Sequence, residues 1–312
     1  MSKQYKVAIK GIGVHVPNNV ITNKYLHDTY NTSENWPLDY LGIKERRWVS
    51  KDEKTSDLAF NAAKNALENS KLNIDDIDLI ILATSSPDRI SPSTACIVAE
   101  KLKATCPCFD INAVCSGFIY GLNIASSLID NDSYKNILLV ASETYSTITD
   151  KLSRDCVYFG DGSGAIVLSK STTGWISTDI HADSTGIEGF TTHIGGYFKM
   201  DGKAVYEAAT TQLPIAINSI LTKNNTTIDQ ISYLVPHQPG IAVLKTIAIK
   251  IDIPFEKVIT VMDKYANTAA ASIPLALHHM INNQSLNNNN LVLLATVGSG
   301  WTWGTALIKW EK

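Results

Sequence analysis

Cys115 stands where a strand-like segment, Cys106-Pro-Cys-Phe-Asp-Ile111, gives way to a helix-like one, Ser116 to Ile129. Within the latter, Phe118, Leu122, Ala125 and Ile129 recur at i, i+4, i+7 and i+11, the spacing of one buried helix face. The unsatisfied N–H groups of a helix start favour thiolate over thiol, so this position predicts a cysteine of lowered pKa, fit to act as a nucleophile. Gly117 is read as keeping the turn open. The plainer account of the same residue is a small buried hydrophobe, the usual fate of an unpaired cysteine. Cys96 falls inside a helix-like run from Thr94 to Lys103, Cys106 and Cys108 in the strand, and Cys156 before a predicted strand, Val157-Tyr-Phe159. Only Cys115 has the setting of a reactive corner.

His237, in Tyr233-Leu-Val-Pro-His-Gln-Pro-Gly240, comes just past a buried strand, where loops carry chemistry in α/β folds. Thirty residues on, Asn267 opens Asn267-Thr-Ala-Ala-Ala-Ser-Ile-Pro-Leu-Ala-Leu277, a helix of small residues. Close helix packing accounts for the alanines and the serine, and a simple N-cap would account for Asn267. His15, His27, His181, His278 and His279 have no partner at metal-ligand spacing, and His193 in the Thr191–Gly196 loop has no assigned role.

These segments must be held by a framework of 312 residues in which short apolar runs alternate with helix-sized periodic ones, an α/β pattern with mixed sheets. Asn73–Leu82 matches Thr227–Pro236 at a shift of 154 positions, and Ile137–Ser142 falls on Leu291–Thr296 at the same shift. Gly162–Leu168 falls on Thr302–Ile308 at a shift of 140. Three collinear matches predict a duplication, with halves at about 1–170 and 171–312 packed as one globule around a shared cavity. The asparagine cluster Ile281–Asn290 reads as a solvated loop. Lys+Arg 27 against Asp+Glu 30 gives no basic footprint, so nucleic acid is not expected as a partner. The apolar runs are strand-sized, so no membrane span is expected. Five cysteines, without C-x-x-C spacing or an export signal, read as reduced thiols of a cytoplasmic protein.

Taken together, Asp110-Ile-Asn-Ala-Val-Cys-Ser-Gly-Phe118, Val235-Pro-His-Gln238 and Asn267–Leu277 resemble the three active-site segments of β-ketoacyl-acyl-carrier-protein synthase III, of the thiolase superfamily. Phe159-Gly-Asp-Gly-Ser-Gly-Ala165, Gly298-Ser-Gly-Trp-Thr-Trp-Gly304, Gly42–Arg47 and Met200–Tyr206 resemble that family too, and the likeness runs from about Gly11 to Trp310. It implies a thiolase-like fold of two duplicated βαβ-type halves. It also implies a mechanism: Cys115 accepts an acyl group from an acyl thioester, and a malonyl thioester then loses CO₂ to give an enolate that attacks the acyl carbon. His237 and Asn267 would hydrogen-bond the thioester oxygen of the enolate, neutral His237 donating through Nε2. The backbone N–H groups of Cys115 and Ser299 would form the oxyanion hole. Trp36 and Arg154 would sandwich the adenine of coenzyme A, which enters as a substrate carrier; no metal or redox cofactor is implied. Ser91 takes the place of a bulky gate residue that family members contribute across a homodimer interface, and its small side chain would admit longer or branched acyl chains.

The chain departs from the family at several points. Tyr40 replaces an arginine that helps hold coenzyme A, and His237-Gln-Pro-Gly-Ile-Ala242 lacks a basic residue associated with docking of an acyl carrier protein. Glu207 replaces a lysine beside Tyr206, leaving Lys245 and Lys250 of a thinned basic patch. Ala266 and Ser299 each replace a glycine. Two other functions compete with condensation: acyl transfer to an oxygen or nitrogen nucleophile, and a catalytically silent partner subunit. A degradative thiolase would need a second catalytic cysteine, and no cysteine follows Cys156.

Overall fold

The computed structural model describes residues 3–283 and 286–311. Its strands are β1 (Val7–His15), β2 (Val20–Thr22), β3 (Glu45–Arg47), β4 (Leu79–Ala83), β5 (Cys108–Ile111), β6 (Asn136–Glu143) and β7 (Gly162–Lys170). After these come β8 (Trp175–Ala182), β9 (Phe190–Thr192), β10 (Phe198–Met200), β11 (Ile231–Pro236), β12 (Leu291–Gly298) and β13 (Thr302–Lys309). The helices are α1 (Asn23–Tyr30), α2 (Thr55–Ser70), α3 (Thr94–Leu102), α4 (Gly117–Asp130), α5 (Gly202–Lys223), α6 (Ile241–Lys250), α7 (Met262–Tyr265) and α8 (Ser272–Asn283).

Two mixed sheets dominate, in the orders β1-β7-β6-β4-β5 and β8-β13-β12-β11. In each, a parallel pair (β4 with β6, β11 with β12) adjoins an antiparallel strand (β7, β13), which carries the half's first strand on its far side. The second half replaces the fifth strand by a single parallel bridge, Leu234 to Val258.

Side-chain alternation explains why both faces of each sheet are covered. Ile137, Leu139 and Ala141 of β6 face a central core with Phe118, Ile119 and Leu122 of α4 and Ile273, Ala276 and Leu277 of α8. Leu138 and Val140, their neighbours, face the alanine-rich side of α2. Leu293 and Ala295 of β12 do the same toward α5 and α6. The order of layers is therefore α2/α3, sheet, α4/α8, sheet, α5/α6. α2 lies so close to β1 that a Cβ on Gly13 would fall 2.2 Å from the Ala66 nitrogen.

The repeat read from sequence is present with one change of register. The turns before β4 and β11 carry the same reciprocal cap, Asn73 with Asp76 and Thr227 with Gln230, at the expected shift of 154. The strand pairings, however, place Asn136 on Leu291, a shift of 155. A one-residue slip reverses which side chains face the core, but in a run buried on both faces the sequence carries no polar alternation to reveal it. Val157–Phe159 is not a strand: a 3₁₀ turn spans Arg154–Val157, and Phe159 makes only an isolated bridge to Asn267. Part of the Asn-rich segment is helical, since α8 runs to Asn283. Among the described residues, no helix is long and apolar enough to cross a membrane.

Candidate active site

The strand ends of both halves converge on one cavity of about 230 Å³, walled mainly by apolar side chains and reached by Cys115, His237, Asn267 and Ser299. Cys115 lies in a 3₁₀ turn, Val114–Ser116, between β5 and α4. Its carbonyl accepts from Thr296 Oγ1 at 3.1 Å, and Ser116 Oγ donates to the Thr302 carbonyl at 2.9 Å, so the second sheet holds the first half's turn. A Cβ on Gly298 would stand 3.1 Å from the Cys115 nitrogen, and only glycine allows that approach without displacement. Gly117 is likewise needed for space, with an ordinary helical φ of −55 and with Ala83 Cβ 3.1 Å from where its own Cβ would lie. It is not there to free the turn.

The lowered thiol pKa expected from the helix start is overturned. Burial drives the Cys115 thiol well above the ordinary cysteine value, and the Glu143 carboxylate reinforces the shift. Water exclusion outweighs the fractional charge of one helix end. Cys115 rests as a neutral thiol near pH 7.

His237 follows β11 directly and is buried, and its imidazole is pushed down to about 3 by desolvation, so it is neutral near pH 7. Gln238 pins the loop behind it, its amide donating to the Pro236 and Ile259 carbonyls (2.9 and 3.1 Å) and accepting from Val261 N at 2.9 Å. His237 Nδ1 lies 2.7 Å from Ser272 Oγ, which in turn lies 2.8 Å from the Ala269 carbonyl. Ser272 has one proton for two neighbours. When it donates to Ala269, Nδ1 carries the imidazole proton and Nε2 is a bare acceptor. When the hydroxyl turns to Nδ1, Nε2 carries the proton and donates. Sequence reading assigned Ser272 to packing; its position five residues after Asn267 gives no sign of the contact across to β11. Ser272→Ala is expected to cut turnover on the order of 10- to 100-fold, the range typical of losing a histidine's orienting partner, with KM little changed. Ser272→Thr should restore most of the rate, a rescue that packing alone would not give.

Asn267 Oδ1 accepts from Ala269 N at 2.8 Å, so the amide's oxygen is held by its own turn and its NH₂ is the group left to act as donor. The residue is followed by a 3₁₀ turn, Ala269–Ala271, and only then by α8. Ala266 just before it has φ 55 and ψ −151, a conformation that favours glycine. Ser299 Oγ donates to the Phe190 carbonyl at 2.5 Å, fixing the loop that carries its N–H beside the cavity.

Trp36 and Arg154 line a separate cleft of about 210 Å³, which meets the main cavity at Tyr158. Tyr40 stacks on Trp36 with centroids 5.8 Å apart at 23°, and it also lines the main cavity. Ser91 is exposed and borders neither space in its own chain. Of the thinned basic patch, Lys250 Nζ donates to the Thr210 carbonyl at 2.8 Å; Glu207, which replaces a lysine there, lies 3.8 Å from Lys203.

Glu143, at the end of β6, escaped the sequence reading because its apolar run gives no sign of a buried charge. Its carboxylate accepts from the Ser85 and Ser86 backbone (3.1 Å each) and from Ser86 Oγ at 2.5 Å, yet burial pushes it up to about 7. A carboxyl raised in the folded state binds its proton more tightly than the unfolded chain does, so its contribution to stability falls as pH rises from about 4.5 to about 7. Glu143→Gln removes that titration. The thermal midpoint of the variant relative to wild type is expected to climb between pH 5 and pH 8, by an amount equivalent to about 3 kcal/mol. A difference independent of pH would refute the shift.

The sequence descriptions of 3-oxoacyl-[acyl-carrier-protein (ACP)] synthase III match residues 109–184 and, for its C-terminal part, 221–310. A β-ketoacyl-[acyl-carrier-protein] synthase III of Ehrlichia canis is 43% identical, over 96% of this chain and 98% of its own. This chain belongs to the β-ketoacyl-acyl-carrier-protein synthase III family. The crystal structure of the Aquifex aeolicus synthase III superposes with a TM-score of 0.95 at 39% identity, covering 97% of this chain and all of that one (100%). The Pseudomonas aeruginosa synthase III gives 0.93 at 33%, over 98% and 99%. The fold is accordingly thiolase-like, and the protein is a synthase III-type condensing enzyme, a transferase.

Proposed function

We propose that this synthase III acylates Cys115 from an acyl-coenzyme A and condenses the acyl group with a malonyl thioester. The observation that carries this reading is the pairing of His237 and Asn267, each fixed by hydrogen bonds of its own, in the cavity that holds Cys115. In the first step His237 Nε2 takes the thiol proton as Sγ bonds the acyl carbon. The C–S bond to coenzyme A breaks, and the leaving thiolate receives the proton. The Cys115 and Ser299 N–H groups would stabilise the tetrahedral oxyanion. In the second step the bond between the malonyl Cα and its carboxylate breaks and CO₂ departs. Once solvent exchange has moved the imidazole proton from Nδ1 to Nε2 and the Ser272 hydroxyl has turned to Nδ1, Nε2–H and the Asn267 amide stabilise the enolate, which attacks the acyl carbon and expels the Cys115 thiolate, and that thiolate takes a proton from water to return to the resting thiol. The apolar walls favour loss of a carboxylate, because they solvate the dispersed enolate less poorly than the localised anion.

The names of the relatives place an acyl carrier protein in their chemistry, and we extend the malonyl carrier to this chain, docking beside Tyr206 and Lys245. Trp36, Tyr40 and Arg154 would hold the coenzyme A nucleotide. Two copies would complete each other's acyl pocket through Ser91, in the cytoplasm. Intact mass after incubation with an acyl-coenzyme A series, followed by a malonyl thioester, tests the proposal. The expected result is one acyl adduct, then its disappearance with one CO₂ released per adduct. An adduct discharged by alcohols or amines without CO₂ would favour simple acyl transfer. No adduct from any donor, coenzyme A or carrier, would favour the silent-subunit alternative.

A further inference from the structure

Arg46, on β3, is the largest fully buried side chain among the described residues, and none of their carboxylates pairs with it; the neighbouring Glu45 carboxylate pairs with Arg47 at 3.1 Å instead. Its guanidinium donates to three oxygens: Nη1 to the Ile21 carbonyl at 3.2 Å and to Asn23 Oδ1 at 2.8 Å, and Nη2 to the Val157 carbonyl at 2.9 Å. Burial lowers the guanidinium to about 10, so it stays charged near pH 7. A buried charge without a counter-charge costs stability that an apolar side chain would not. What it supplies is a planar fork of charge-assisted donors that fixes its acceptors in one geometry. One of those acceptors belongs to residues 157–160. Trp48 Nε1 donates to the Phe159 carbonyl at 3.2 Å, on the same edge of that segment. Its other edge is joined to Asn267, whose N–H donates to the Tyr158 carbonyl at 3.1 Å and whose carbonyl accepts from Gly160 N at 3.0 Å. Only glycine fits at 160, since a Cβ there would lie 2.3 Å from the Tyr265 carbonyl oxygen and 3.1 Å from Arg46 Cβ.

We propose that Arg46 is a positioning residue for the condensation step, setting the Asn267 amide through residues 157–160 and taking no part in the acylation of Cys115. This role rests on the reading of Asn267 as a donor to the enolate. The Asn267 side chain is aimed by its own backbone, through the bond from Ala269 N to Oδ1, and that backbone is paired with residues 157–160. The pairing fixes a position only if the segment is itself fixed on its far side, which is where Arg46 and Trp48 hold it. The turn of Cys115 uses none of these bonds, being tied to the second sheet through Thr296 and Thr302. Loosening the segment therefore displaces the donor of the second step and spares the thiol of the first.

The test is single-turnover kinetics on the full-length Arg46→Met variant, which keeps an unbranched apolar chain and loses every donor. At saturating acyl-coenzyme A, adduct formation should stay within about twofold of wild type, while discharge by a malonyl thioester falls about 10- to 100-fold, the scale of a misplaced reacting group. KM for the malonyl thioester should change little. In an Asn267→Ala background, Arg46→Met should add less than about threefold to the loss, because no donor is left to position. Trp48→Phe deletes only the bond to the Phe159 carbonyl and keeps a ring in place; it should slow discharge about threefold and leave acylation alone, the scale of one hydrogen bond. That variant decides the matter if the thermal midpoint shows Arg46→Met to be unfolded. Equal losses in both steps, losses that multiply in the double variant, or a wild-type discharge rate in both Arg46→Met and Trp48→Phe would each overturn the role of Arg46 while leaving that of Asn267 intact. A wild-type discharge rate in Asn267→Ala itself would remove the donor reading, and the role of Arg46 with it.

Discussion

Cys115→Ala is expected to abolish the acyl adduct for every donor and to lower condensation by about 10⁴-fold or more, as removal of a covalent nucleophile does elsewhere. The alanine removes the only sulfur among the cavity-lining residues that can be acylated, since Met200, which also borders it, is a thioether. Decarboxylation of the malonyl thioester is a separate matter, because in the proposed mechanism its transition state draws on His237 and Asn267. CO₂ release without a condensed product should therefore persist in Cys115→Ala. The two readouts, adduct mass and CO₂ evolution, come apart only if the residues divide the chemistry in this way. Loss of both in a correctly folded variant would mean that Cys115 also serves the enolate step.

The second large effect is expected at Asn267. Asn267→Ala should leave the first acylation close to wild type and slow enolate formation by about 10²- to 10³-fold, the usual effect of deleting one preorganised donor. The reason lies in how its amide is held: Ala269 N takes the oxygen, so the donor is aimed before substrate arrives. Asn267→Asp is the sharper variant. It keeps the size and the Ala269 contact but replaces the donor by an acceptor that repels the developing charge, and it should fall at least as far as alanine. Single-turnover measurement of adduct formation and adduct discharge separates the steps. An acylation rate that dropped with discharge would place Asn267 in the first step as well.

Sequence alone was informative where function compresses into a short local pattern. The Cys115, His237 and Asn267 segments are each contiguous, and each sits at the end of a strongly patterned strand or the start of a helix, so their convergence followed from the α/β order. The pKa of Cys115 was not legible, because the helix start lies beside it in sequence while Glu143, 28 residues on, and the apolar cavity walls come to it only through folding. Ser272 was hidden for the same reason, its partner lying 35 residues away across two elements. The repeat was found but misaligned by one residue between β6 and β12, where unbroken apolar runs erase the period-two signal. Tyr40 was seen only as a lost arginine; its stacking on Trp36 depends on the one-turn helical segment Pro37–Leu41 that brings the two rings face to face.

The turn that presents Cys115 has a counterpart. Val114 and Ala269 share a left-handed φ (48 and 44), each opens a three-residue 3₁₀ turn, and each turn runs straight into a central helix. Superposed on that basis, Asn112 matches Asn267, Cys115 matches Ala270, and Gly117 matches Ser272. The two copies meet where Gly117, Ala83 and Ala270 leave space for little more than methyl groups. Cys115 and Asn267 are thus set from a common seam, like two blades sharing one pivot. A methyl group added at Gly117 would meet Ala83 Cβ at 3.1 Å and Ala270 Cβ at 3.8 Å, and is expected to shift both turns together.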